Sequence, residues 1–133
     1  MPTAENKAII RRVYDEGYNA GDESIYAELY HPTFTHHSKT LHDVGQGPDA
    51  ERRSMLRFRE SMPDARFEIV QLLADDDMVA ARLHITGAPR HDFGNVLAAD
   101  GRFDRHALAL FRLEDGLLME EWFFVDAGTS AEE

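Results

Sequence analysis

From residue 4 to residue 18 the apolar side chains Ile9, Ile10, Val13, Tyr14 and Tyr18 recur at spacings of three and four. That spacing lays them along one stripe of an amphipathic helix, with Thr3 as its N-cap. Asn19-Ala-Gly21-Asp22 then stops this helix and caps another, and Ile25, Leu29 and Tyr30 predict a short second helix ending before Pro32. The β-branched and aromatic run from Thr33 to Thr40 predicts a short extended segment, followed by a loop through Asp43-Val-Gly45-Gln-Gly47. Pro48 suits the first position of a helix, and Asp49 and Glu51 suit its first turn. A third helix is therefore predicted from Pro48 through Met55, Leu56 and Phe58 to Glu60.

Beyond Met62-Pro63-Asp64 the apolar period falls to two. Phe67, Ile69 and Gln71-Leu72-Leu73 read as a strand, Asp75-Asp76-Asp77 as a turn, and Met78 to Gly87 as the partner strand. Another extended segment is expected near Asp92 to Leu97. A strand from Arg102 to Arg112 follows, then a tight turn at Glu114-Asp115-Gly116 and a last strand from Leu117 to Val125. Three helices followed by an antiparallel meander predict an α+β fold. Ala107-Leu-Ala-Leu-Phe111 and Trp122-Phe-Phe-Val125 are apolar on both faces, so both faces should be covered. The helices can take one face; a second copy of the chain, or loops, takes the other. No linker or repeat divides the chain, which predicts one domain over residues 1–133 with Ala127 to Glu133 as a frayed tail.

Composition narrows the partners. At 133 residues, 43% hydrophobic and 10% aromatic, the chain is long enough to bury about two-thirds of its unfolded surface. No apolar run approaches the roughly 20 residues that cross a bilayer, so no membrane association is expected. The stretch Met1-Pro-Thr-Ala-Glu-Asn-Lys7 lacks the basic start, apolar core and cleavage site of a secretory signal, and a cytoplasmic location is expected. With 25 acidic and 14 basic residues, the formal net charge of -11 repels phosphate backbones and anionic lipids; no nucleic-acid partner is expected. Arg52, Arg53, Arg57 and Arg59 interleave with apolar residues as a solvated helix face would. The absence of cysteine removes disulfides, thiolate metal sites and cysteine nucleophiles.

Candidate chemistry gathers on the last two strands. Glu120, Trp122, Phe124 and Asp126 share one face of the final strand, and Met119, Glu121, Phe123 and Val125 the other. One of two adjacent glutamates thus enters an apolar layer, where desolvation raises its pKa toward that of a useful base, unless the strand is an edge and both acids reach water. On the preceding strand Asp104, His106, Leu108 and Leu110 share a face opposite Arg105, Ala107 and Ala109. Folding the hairpin at Asp115-Gly116 is expected to bring His106 and Glu120 to neighbouring rungs as an acid/base pair; a buried, hydrogen-bonded histidine is the plainer fate of such a residue. His31, His36, His37 and His42 lie close together, but no His-Glu-x-x-His spacing accompanies them. They read as hydrogen-bonding groups, and no metal site is expected. Neither a Gly-x-Ser-x-Gly elbow nor a glycine-rich phosphate loop is present.

Several stretches, taken in order, resemble the SnoaL-like polyketide cyclases within the nuclear transport factor 2-like group. They are Asn6-Lys-Ala-Ile-Ile-Arg-Arg-Val-Tyr-Asp-Glu-Gly-Tyr-Asn-Ala-Gly-Asp22, Tyr30-His-Pro-Thr-Phe-Thr-His-His37, Gly47-Pro-Asp49, Met62-Pro-Asp64, Thr86-Gly87 with Phe93-Gly94, and Glu114-Asp-Gly-Leu-Leu-Met-Glu-Glu-Trp122 with Asp126. The resemblance covers nearly the whole chain. It implies a cone of three N-terminal helices on a curved, mostly antiparallel sheet, and cofactor-free ring closure of the aldol type on a small hydrophobic carbonyl compound such as a polyketide-like ester. It also implies a histidine on the penultimate strand and an acid on the last strand at the base of the cone, at positions matching His106 and Glu120. This chain has Glu120 where the best-known members carry aspartate, and Ala99-Asp-Gly101 where many carry Pro-Thr-Gly.

On that reading Glu120 removes a proton α to a carbonyl, and His106, with Asp104 and one of His36 or His37, stabilises the enolate oxygen. Tyr14, Phe34, His84, Phe93 and Trp122 complete the pocket. The same fold also admits an isomerase, or an epoxide hydrolase using Asp104, Arg82 or Arg102, and Asp126. A third alternative is a non-catalytic binding module. A homodimer or higher homo-oligomer through the outer face of the sheet is expected.

Overall fold

Pro2 opens α1 (Pro2–Arg12), where its fixed φ suits the first turn, so Thr3 lies inside the helix rather than capping it. The chain continues without a break into a π-helical segment, Val13–Asn19. Within it, Gly17 is pressed against the next helix: a Cβ there would lie 2.9 Å from Ile25 Cδ1 and 3.0 Å from Tyr26 Oη. The close approach requires glycine, and it seats α2 (Ile25–Leu29) directly under the wider turn. Tyr30 then turns extended at φ -108 and ψ 134. After Gly47, whose φ of 94 lies in the left-handed region, α3 (Pro48–Ser61) buries Ala50, Glu51, Ser54, Met55, Phe58 and Ser61 along one face. The computed structural model describes residues 2–37, 46–90 and 102–126. The expected segment at Asp92 to Leu97, with Phe93, and also His42 and the expected tail lie outside the described residues.

Five strands form one sheet: β1 (Tyr30–His36), β2 (Arg66–Asp75), β3 (Met78–Gly87), β4 (Phe103–Glu114) and β5 (Leu117–Val125). Their order is β1-β5-β4-β3-β2, with β1 parallel to β5 and the other neighbours antiparallel. Three helices packed on a five-stranded mixed sheet make the expected α+β fold. β1 starts earlier than expected and includes Pro32, which the sheet tolerates because β1 is an edge strand. Side-chain atoms extend the pairing at the opposite edge: Asn19 Nδ2 donates to the Phe67 carbonyl at 2.9 Å, and the Phe67 N–H donates to Asn19 Oδ1 at 2.8 Å.

Register on the last hairpin decides which groups face the helices. Asp115 and Gly116 take φ 51 and 79, the positive pair of a type I′ turn, so Glu114 faces Leu117 and Leu113 faces Leu118. A bulge follows, after which Arg112 faces Glu120 and Phe111 faces Glu121. Toward the helices the sheet presents Val79, Ala81, Leu83, Ile85, Phe103, Ala107, Ala109, Phe111, Leu113 and Leu118. These pack against Ile10, Val13, Tyr14, Met55 and Phe58. On the outer face Leu108 and Phe124, paired across β4 and β5, are 47% and 59% exposed.

Candidate active site

The bulge in β5 turns Glu121, not Glu120, toward the helices. Its Cα partner across the parallel β1–β5 pair is His36, whose Nε2 lies 3.6 Å from Glu121 Oε1. Gln46 pins the His36 backbone from both sides, accepting from its N–H at 2.7 Å and donating to its carbonyl at 3.0 Å. From above, α3 brings Glu51, which is 2% exposed. One potential ligand atom from each of His36, Glu51 and Glu121 lies within 4.8 Å of the others, the one such grouping with metal-ligand spacing among the described residues. Tyr14, Tyr18, Ser54, Phe58, Phe67 and Phe123 join His36 and Glu121 around a cavity of about 30 Å³. The aromatic wall is continuous, with Phe67 centred 5.7 Å from Tyr14, 4.6 Å from Tyr18 and 5.0 Å from Phe58.

Burial in this apolar cup, and secondarily the neighbouring Glu51 carboxylate, push the Glu121 carboxyl well above the ordinary 4.5. Burial likewise raises the phenols of Tyr14 and Tyr18, so both stay neutral hydroxyls. A carboxyl that holds its proton far into the neutral range, next to an imidazole and a second carboxyl, can take and return a proton in a site shielded from water.

The structure corrects the expected His106–Glu120 pairing. With the turn at Asp115-Gly116 and one bulge, Ala107 faces Val125, so His106 lies beside Asp126 and Glu120 lies opposite Arg112. The Asp126 N–H donates to the His106 carbonyl at 3.0 Å, and the His106 N–H donates to Asp126 Oδ2 at 3.3 Å. Both His106 and Glu120 are on the outer face, turned away from the cavity. There Glu120 accepts from Arg112 and lies 2.9 Å from His37 Nε2; the Arg112 hydrogen bond, then that of His37, holds its carboxyl below the ordinary range. His37 stacks on Trp122 at 4.7 Å.

The same outer face carries the remaining expected site residues. His84 Nε2 sits 2.7 Å from Asp104 Oδ1, and its ring stacks on His106 at 4.7 Å. Arg82 shares this face with Asp104 and Asp126, and Arg102 is exposed 4.0 Å from Asp64, so the epoxide-opening set does not converge on the cavity. Of the expected site residues, Tyr14 and His36 line the cavity, and Phe34 is buried beside His36 at 6.5 Å between ring centroids.

Glu121, Glu51 and Ser54 had no place in the expected site. Glu51 and Ser54 precede Met55 and Phe58 at the i, i+3, i+4, i+7 spacing of one helix face, a signal present in the sequence. Glu121 carried a weaker one, its alternation with Phe123 and Val125, and the bulge alone decides which way that face points.

The sequence matches the family model for SnoaL-like polyketide cyclase over residues 8–132. No curated protein matches the chain. Among solved structures, TsrD from Streptomyces laurentii is similar at a TM-score of 0.80 and 23% identity, covering 95% of this chain and 91% of its own. IdmH from Streptomyces antibioticus is similar at 0.76 and 23%, covering 91% of each chain. A SnoaL-like polyketide cyclase from Agrobacterium tumefaciens C58 is similar at 0.74 and 20%, covering 88% of each. At these identities the structural likeness shows a shared fold, and the family match over nearly the whole length supplies the assignment. By that match, on the fold just described, the chain belongs to the SnoaL-like polyketide cyclase family.

Proposed function

We propose that the chain closes a ring in a small, enolisable carbonyl compound, polyketide-like or an ester, by a cofactor-independent intramolecular aldol step inside the helix-covered cavity. The observation that carries this reading is a carboxyl, Glu121, buried in an aromatic cup with an imidazole nitrogen 3.6 Å away and a second carboxyl beside it. In its ionised form Glu121 is a strong base, because the surroundings that disfavour its charge favour taking a proton. It accepts the proton α to a carbonyl; the resulting enolate carbon attacks a second carbonyl of the same molecule; the new alkoxide takes the proton back. His36 and Glu51 set the charge around Glu121 throughout. The exposed apolar pair Leu108 and Phe124 on the outer face is the contact for a second copy of the chain.

The test is α-proton exchange of methyl acetoacetate in deuterium oxide, followed by NMR. The wild type accelerates exchange. E121Q loses about a hundredfold or more of that acceleration, as expected for a proton-transfer group. E120Q and H106A stay within about threefold of wild type, since neither side chain reaches the cavity. Full exchange by E121Q, or its loss in E120Q, refutes the assignment.

A further inference from the structure

The geometry points to Ser54 as the hydrogen-bond donor to the enolate oxygen, a role that rests on the proton-transfer reading of Glu121. Ser54 stands on the buried face of α3, one turn after Glu51 and one turn before Phe58, and is 7% exposed. It borders the same 30 Å³ cavity as Glu121 and His36. Among the described residues its hydroxyl has no hydrogen-bond partner, including the carbonyl of Ala50 one turn back, which a mid-helix serine commonly uses. A buried, unpaired hydroxyl is destabilising, and alanine fills nearly the same volume without that cost.

Tyr14 and Tyr18 also bring hydroxyls to the cavity, but their rings are held there by stacking on Phe67. Ser54 has no such packing role, and the hydroxyl is all that it adds over alanine. The cavity admits only the reacting end of a ligand, so a carbonyl whose α-carbon reaches Glu121 has its oxygen against one of the few lining side chains.

In the step itself the α C–H bond breaks and its proton passes to the Glu121 carboxylate. The C–H electron pair becomes the C=C bond of the enolate, and the carbonyl π pair moves onto oxygen. Ser54 donates a hydrogen bond to that oxygen and keeps its own proton. The charge it meets develops in the transition state, where a preorganised donor has its largest effect.

S54A is the test, with methyl acetoacetate exchange as the kinetic readout and urea denaturation alongside. The expected kcat for exchange is about 10²–10³-fold below wild type, with KM within about threefold and a denaturation midpoint equal to or above wild type. S54C, which keeps a weak donor, falls between S54A and wild type. Exchange by S54A at the wild-type rate, while E121Q has lost it, overturns the Ser54 role and leaves Glu121 standing. A slow S54A whose midpoint has dropped also overturns it, because lost structure then accounts for the rate. Exchange by E121Q at the wild-type rate, or none by the wild type, removes the proton-transfer reading itself.

Discussion

Replacing Glu121 with glutamine changes how stability depends on pH, and the sign follows from the burial of the carboxyl. Glu121 is 6% exposed, and desolvation together with Glu51 raises its pKa well above 4.5 in the folded state. The unfolded chain titrates it near the ordinary value. The folded state therefore binds this proton more tightly, and the group's contribution is fully present below pH 4.5. As pH rises from there toward the raised folded value, the contribution is lost at about 1.4 kcal/mol per pH unit, and above the folded value the curve flattens. Against a total stability of roughly 5–15 kcal/mol, that slope is readily measured. E121Q keeps the shape of the side chain and removes the titration. Urea denaturation followed by circular dichroism at half-unit steps from pH 4.5 to 7.5 should show wild-type stability falling relative to E121Q as pH rises. Subtracting the two curves cancels the exposed carboxylates that titrate in both proteins. Parallel curves across the whole range would show that the carboxyl is not desolvated, and the argument for its base strength would fail with them.

Two other perturbations test parts of the fold that position the site. N19A removes both side-chain hydrogen bonds to the Phe67 backbone and is expected to cost about 2 kcal/mol by chemical denaturation; a loss under about 0.5 kcal/mol would mean these bonds contribute little. F124E places a charge in the exposed apolar pair of the outer face and is expected to yield monomers under conditions where the wild type sediments as a dimer; identical sedimentation of the two proteins would remove the outer face as a self-association surface.

Much of the fold was legible because it depends on local chemistry. The apolar stripe from Ile9 to Tyr18, Pro48 opening α3 and the Asp115-Gly116 turn all appear where expected. Where the reading failed, a long-range contact intervened. Pro32 looked like a boundary, but β1 runs through it because only one of its edges is paired. The first helix widens into a π turn over Val13–Asn19, where Gly17 packs under Ile25 and Tyr26, residues of the next helix. At the site, strict alternation correctly separated Glu120 from Glu121. Which of them faces the helices depends on one extra residue near Met119, since a single bulge reverses the faces of everything beyond it. Histidine selection failed for a related reason: His36 meets Glu121 through a parallel pairing of strands at opposite ends of the chain, which no hairpin arithmetic reveals.

That parallel seam also fixes when the site can exist. The meander from β2 to β5 can assemble from neighbouring segments, whereas His36 reaches Glu121 only after a loop of more than eighty residues has closed. Catalytic competence should thus be among the last properties gained on refolding and among the first surrendered when the chain's opening segment peels from its edge, well before the meander melts.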